Sequence, residues 1–186
     1  MAGGIVLVLV ALVALSSIKI GGSTTTTTAA PTFDDLAELG EVDEGPASTE
    51  AAPDFSLTTF DGSEFNLVAH LADEGTPVFL NMWASWCFPC REEMPALDAA
   101  SQRYGGVRFV GVAVQDEEAP AREFAEEIAV SYPIGADTDG SVNRAYDPLG
   151  LPASYIISAE GVILERIYGQ VDEAEIDAKL GQWFGG

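Results

Sequence analysis

The chain has two cysteines, Cys87 and Cys90, set in the run P-V-F-L-N-M-W-A-S-W-C-F-P-C-R-E-E-M-P-A-L from Pro77 to Leu97. Two thiols at this spacing can close into a disulfide and be reopened by another thiol. The reactive form is the thiolate, and its pKa falls at helix N-termini and in C-x-x-C pairs. A first thiol attacks a substrate disulfide, and the second then attacks the first and releases the product. Two other uses compete. A zinc site needs about four nitrogen or sulfur ligands, and beyond these cysteines the chain offers a single histidine, His70. An inert staple across so short a loop constrains the unfolded chain little. Redox chemistry is therefore the leading reading.

The surrounding residues must hold the pair at an element boundary. Val78, Phe79, Leu80, Met82 and Trp83 form a short apolar run that starts at Pro77, and it reads as a buried strand. After Pro89, the residues Met94, Leu97, Ala100 and Tyr104 recur at helical spacing. Pro89 suits a first helical turn, where a missing N–H loses nothing. Cys87 is thus expected at the exposed start of a helix, with Cys90 one turn on and more buried. Desolvation should raise the Cys90 pKa, so a base is needed nearby. Glu93, three residues further on the same face, lies about 5–6 Å away at Cβ. Trp86 precedes the pair, and Phe88 and Pro89 lie between the cysteines; these three are expected at the substrate surface.

Elsewhere the chain alternates strand and helix patterns. Phe55–Leu57 and Glu64–Leu67 flank Asp61-Gly62, a hairpin signal. A short helix is expected over Val68–Ala72, with His70 at its surface or end. Val107–Val114 reads as a second buried strand and Ala119–Val130 as an amphipathic helix. A short extended piece at Tyr132–Ile134 and a brief helix over Val142–Tyr146 follow. Ala153–Ser158 and Val162–Tyr168 read as strands joined at Glu160-Gly161, and Asp172 caps a last helix. This order predicts an α/β domain, one mixed sheet with helices on both faces.

The 186 residues carry a formal net charge of −22. That balance excludes a basic nucleic-acid-binding surface and docking on anionic lipid. Gly3 to Ile18 is almost continuously apolar, so residues 1–20 are expected to be an uncleaved membrane anchor, with a cleaved signal peptide as the alternative. Residues 21–52 hold the Thr24–Thr28 run, Pro31, Pro46 and many acids. They read as a disordered spacer that spans about 30 Å as a flexible coil. Residues 53–186 are the domain, expected to be monomeric.

The stretch N-M-W-A-S-W-C-F-P-C-R-E-E-M-P and the later Y-D-P-L-G-L-P-A-S-Y, residues 146–155, resemble the TlpA/ResA-like thiol–disulfide oxidoreductases, membrane-tethered members of the thioredoxin superfamily with redoxin-type (AhpC/TSA) domains. The resemblance runs from about Ala52 to Phe184. It implies a thioredoxin-like fold with an N-terminal β-hairpin and a central helix–strand insertion between Val114 and Tyr146. It implies Cys87 as attacking thiol, Cys90 as resolving thiol and Glu93 as a carboxylate that helps proton transfer. It implies a cis Leu151–Pro152 peptide against the cysteines, with both residues shaping the substrate groove. Thioredoxin itself has a buried Asp where this chain has Asn81, so that proton route is absent here. No cofactor beyond the Cys87–Cys90 disulfide is expected. The implied partners are client proteins with disulfides and a membrane thiol electron donor, outside the cytoplasm. Maturation of c-type cytochromes is one such setting, although the acidic motif of that group is not seen in G-L-P-A-S-Y. Two other functions compete. A peroxiredoxin would carry a threonine-bearing P-x-x-x-T-x-x-C run, and the residue in question here is Ala84. A copper chaperone would want more nearby Met or His ligands than Met94 supplies.

Overall fold

Val78, Leu80 and Met82 alternate with Phe79, Asn81 and Trp83 along β3 (Val78–Trp83), and all six are buried. A strand buried on both faces must lie at the centre of a sheet with helices on each side. In the computed structural model, which describes residues 50–185, β3 pairs in parallel with β4 (Arg108–Ala113) and antiparallel with β6 (Ala153–Ile157). Outside them lie β5 (Ile134–Ala136) and β7 (Ile163–Tyr168), giving the order β5-β4-β3-β6-β7. The predicted mixed sheet is present.

The two side-chain rows of β3 serve different layers. Val78, Leu80 and Met82 pack with Phe55, Leu57, Phe65, Tyr146 and Tyr155. That layer is closed by the hairpin β1 (Ser56–Thr58) and β2 (Glu64–Asn66), with helices α1 (Leu67–Asp73) and α4 (Ser141–Tyr146). On the other face, Phe79 packs with Leu97 and Ala100 of α2 (Phe88–Arg103) and with Ile176 and Leu180 of α5 (Glu173–Phe184). Trp83 packs with the two cysteines, with Met94 and with Phe124 of α3 (Glu118–Ile128). Each large apolar side chain buried in this way contributes about 1.5–3 kcal/mol. Asn81 is the polar residue in the row that faces α2.

The expected hairpin is present as its own two-stranded sheet, joined to the main one by the Thr59–Gly135 bridge. Two local outcomes differ from the sequence reading. Helix α3 ends at Ile128, short of Val130, because Ala129 adopts a left-handed conformation with φ 56°. His70 is in the last turn of α1 but is buried, not at the surface. Its ring packs on Phe65, and Nε2 meets the Thr76 hydroxyl at 2.9 Å. A neighbour six residues ahead, in the following loop, carries no helical or strand periodicity to reveal it.

The domain also begins slightly earlier than Pro53. Ala51 bridges Val162, and the Ile163 N–H donates to the Glu50 carbonyl. The expected anchor and the spacer up to residue 49 lie outside the described residues.

Candidate active site

Strand β3 ends at Trp83, and the chain turns through Ala84–Trp86 into α2. Cys87 is the N-cap: its φ of −86° and ψ of 101° are extended, and its Sγ accepts from the Cys90 N–H at 3.2 Å. The sulfur therefore occupies the place a Ser or Asp oxygen fills at other helix starts. It faces N–H groups that have no partner inside the helix, where negative charge is favoured. Cys87 and Cys90 are joined as a disulfide with Cα atoms 5.3 Å apart. In this oxidised form Cys87 is 4% exposed and Cys90 fully buried. The order of exposure is the expected one, but Cys87 is a recessed edge rather than an open thiol.

The rim is apolar. Trp86 is 62% exposed and Phe88 71%, with Pro89 also at the surface. The turn is held by Asp116, whose carboxylate accepts from both the backbone N–H and the hydroxyl of Ser85. The Trp86 indole N–H donates to the Gln115 carbonyl at 3.1 Å, and Gln115 itself has φ 54°. Across the site, Leu151 packs against the cluster that contains both cysteines, and Pro152 is buried. The Leu151–Pro152 peptide is cis. Among the described residues no hydrogen bond reaches the Leu151 N–H or C=O.

One turn beyond Cys90 on α2 lies a buried carboxyl group. Glu93, 1% exposed, accepts from the Asn81 Nδ2 at 2.8 Å through Oε1 and from the Val171 N–H at 3.2 Å through Oε2. Burial disfavours its charged form and outweighs both hydrogen bonds, so its pKa is pushed up to about 7. Neighbouring Glu92 is exposed. The arrangement thus separates two kinds of surroundings: sulfur at an apolar surface, and a buried acid that can exchange a proton near neutral pH.

The sequence-predicted residues Trp86, Cys87, Phe88, Pro89, Cys90 and Glu93 come from one turn and helix, and the fold brings Leu151 and Pro152 beside them. Sequence reasoning missed Gln115, Asp116, Ser154 and Val171. Gln115 and Asp116 follow the carboxyl end of β4, where open α/β sheets place their sites, and that rule would have pointed to them. Ser154 follows Pro152 by two residues and faces Asn81 in the β3–β6 register. The Val171 contact runs through a backbone N–H, which leaves no trace in side-chain pattern.

An open α/β sheet with a cysteine pair at the carboxyl end of its central strand and a proline loop across from it defines a thioredoxin-fold redox protein. The chain belongs to the AhpC/TSA family, whose model matches residues 49–166. It is 35% identical over 136 residues to the thioredoxin-like protein YneN of Bacillus subtilis, covering 70% of this chain and 77% of the relative. It is 34% identical over 131 residues to the thiol-disulfide oxidoreductase ResA of Geobacillus kaustophilus, covering 69% and 74%. Among solved structures, the putative thiol:disulfide interchange protein DsbE from Chlorobium tepidum superposes with a TM-score of 0.66 at 27% identity, over 75% of this chain and 96% of that one. The protein is a thiol–disulfide oxidoreductase of this group.

Proposed function

We propose that the protein works as a reductase outside the cytoplasmic membrane, delivering electrons from the Cys87/Cys90 dithiol to disulfides of envelope proteins. The Cys87 thiolate attacks one sulfur of the client disulfide, forming a mixed disulfide and expelling the other client sulfur as a thiolate. Glu93 as carboxylate takes the Cys90 proton, and the Cys90 thiolate attacks Cys87 Sγ. The Cys87–Cys90 disulfide forms, the second client sulfur leaves, and the proton on Glu93 passes on to solvent. One client disulfide becomes two thiols, and one dithiol is oxidised. A thiol donor at the membrane must then reduce Cys87–Cys90 again.

The observation that carries this reading is Glu93, a buried acid on the cysteine helix one turn from Cys90, which accepts from Asn81 and Val171 and has its pKa pushed up to about 7. Trp86, Phe88 and Leu151 supply apolar contact for the client. The unpaired Leu151 peptide supports pairing with an extended client segment. Location rests on the apolar run at residues 3–18 followed by the acidic spacer. Among the described residues no helix is long and apolar enough to cross a membrane. Apocytochromes with paired cysteines are one client class that fits the chemistry.

The reading is tested by reducing insulin disulfides with the prereduced protein and measuring peroxide consumption in parallel. Insulin reduction that depends on Cys87, with no cysteine-dependent loss of peroxide, is the expected result. The reverse pattern would assign the chain to peroxide chemistry.

A further inference from the structure

Asn81 sits in the middle of β3 at 1% exposure, and its Oδ1 has no hydrogen-bond partner among the described residues. Its Nδ2 is fully used, donating to Glu93 Oε1 at 2.8 Å and to Ser154 Oγ at 3.1 Å. A buried carbonyl without a donor is costly and asks for an explanation. The two ends of an amide have nearly the same shape, so the side chain can turn over in the same space. A turned amide would place Oδ1 between Glu93 and Ser154. There it would accept from a protonated Glu93 and from the Ser154 hydroxyl, since a hydroxyl both donates and accepts.

We propose that Asn81 is a positioning residue that turns over with the protonation of Glu93, offering its NH2 group to the carboxylate and its carbonyl to the carboxylic acid. Each orientation leaves one amide group unpaired, which keeps either from dominating. A fixed donor such as lysine would hold Glu93 ionised, and a second acid would repel it. An amide that can present either end lets the same carboxyl gain and lose a proton without moving. Ser154 completes the device, because its hydroxyl accepts in one state and donates in the other.

The other groups around Glu93 leave this role to Asn81. From the segment before α5 comes the Val171 N–H, a donor to Oε2 in either state. From α2 itself comes Cys90, one turn away and closed in the disulfide. From the segment before β5 comes the Tyr132 phenol, kept neutral by burial first and then by the charges of Glu93 and Asp98. None of the charged side chains among the described residues forms an ion pair with Glu93.

The inference rests on Glu93 titrating near neutrality, and the test separates that premise from the inference itself. The oxidised intact chain, in which neither cysteine titrates, is followed by NMR of the Glu93 carboxyl carbon and the Asn81 side-chain amide between pH 5 and 9. The expected result is one shared midpoint, with the Asn81 titration lost in Glu93→Gln. In Asn81→Leu, which removes both ends of the amide, carboxylate and acid each lose a hydrogen bond, so the Glu93 midpoint should rise by less than about tenfold in proton affinity, the excess of the charge-assisted bond over the neutral one. A Glu93 carbon that titrates while the Asn81 amide stays flat would overturn the inference and leave the proposed reductase mechanism standing. A Glu93 carbon that does not titrate in this range would overturn both. A rise of about a hundredfold in folded Asn81→Leu, the loss expected of a donor fixed on the carboxylate alone, would also overturn the inference.

Discussion

Two helices of this domain begin in opposite ways. Helix α5 opens with a closed capping box: Asp172 accepts from the Glu175 N–H at 2.9 Å, and Glu175 accepts from the Asp172 N–H at 3.1 Å. Glu173 and Glu175 add negative charge in its first turn. Helix α2 has no acid in its first turn, and its cap is a sulfur accepting at 3.2 Å. The backbone poses the same problem at both starts, namely donors without partners. At α5 fixed carboxylates answer it permanently. At α2 the cap is the Cys87 sulfur, and in the proposed mechanism the favourable field of the helix is kept for a thiolate that comes and goes with catalysis. Stability is built into one terminus and reactivity into the other.

The largest effect comes from removing that reserved sulfur. Cys87→Ser and Cys90→Ser should both lose insulin reduction down to the blank rate. They should differ in what accumulates: Cys90→Ser traps mixed disulfides with clients, and Cys87→Ser traps none. Non-reducing gels after incubation with a client disulfide read this directly, and equal trapping by both would reverse the assignment of roles. Cys87→Asp would make the start of α2 resemble that of α5. Compared with Cys87→Ala, which also lacks the disulfide, it should unfold at higher denaturant by about 1 kcal/mol and still show no turnover.

Next in size is the buried acid of α2, Glu93. Glu93 accepts a proton only as the carboxylate, so the reduction rate should rise as pH passes upward through about 7. Glu93→Gln should slow reduction by roughly tenfold to a hundredfold and remove that rise. Exposed Glu92→Gln should stay within about twofold of the parent. Stopped-flow rates across pH 5–9 check both. The same shift has a stability side. Because its pKa is raised from 4.5 to about 7 on folding, the folded chain binds the proton more tightly than the unfolded one. The cost of a buried carboxylate is absent below about pH 4.5, grows as pH rises, and is complete above about pH 7, where it amounts to about 3 kcal/mol. Denaturant melts at pH 5 and pH 8 should therefore show the parent losing stability over this interval by about that much more than Glu93→Gln.

The contrast between the termini was partly legible in the sequence. Cys87 at the start of α2 followed from the apolar run ending at Trp83 and the helical spacing of Met94, Leu97 and Ala100, because periodicity reports which face is buried. Asp172 followed from its position ahead of Ile176 and Leu180. The depth of Glu93 was less visible: the resemblance pointed to Glu93 rather than Glu92, but neither its near-complete burial nor its two partners could be read from one strand of text. For Asn81 the resemblance shows only an amide where thioredoxin has a buried acid. The Asn81 contact with Ser154 depends on β6 lying beside β3, a pairing between residues far apart in the chain. The burial of His70 and the left-handed Ala129 were hidden for a related reason, since both depend on loops and tertiary neighbours rather than on spacing.

The smallest expected effect tests whether the two termini are independent. Asp172 secures the start of α5, and Val171 immediately before it sends its N–H to Glu93 Oε2 at 3.2 Å. Asp172→Ala removes the acceptor for the Glu175 N–H and should cost about 1 kcal/mol of stability. The Val171 peptide is also tied down by burial, since its side chain is 4% exposed and packs with Ile176 and Leu180. The donor to Glu93 should therefore stay in place, and the reduction rate at neutral pH should remain within about twofold of the parent, the usual size of an effect away from the chemistry. Chemical denaturation and insulin reduction on the same preparation measure the two quantities together. Loss of about 1 kcal/mol with a near-parental rate keeps the division between a stabilising and a reactive terminus. A rate that collapses while the domain stays folded would mean that the cap of α5 also holds the proton acceptor of α2 in place, joining the two termini into one device.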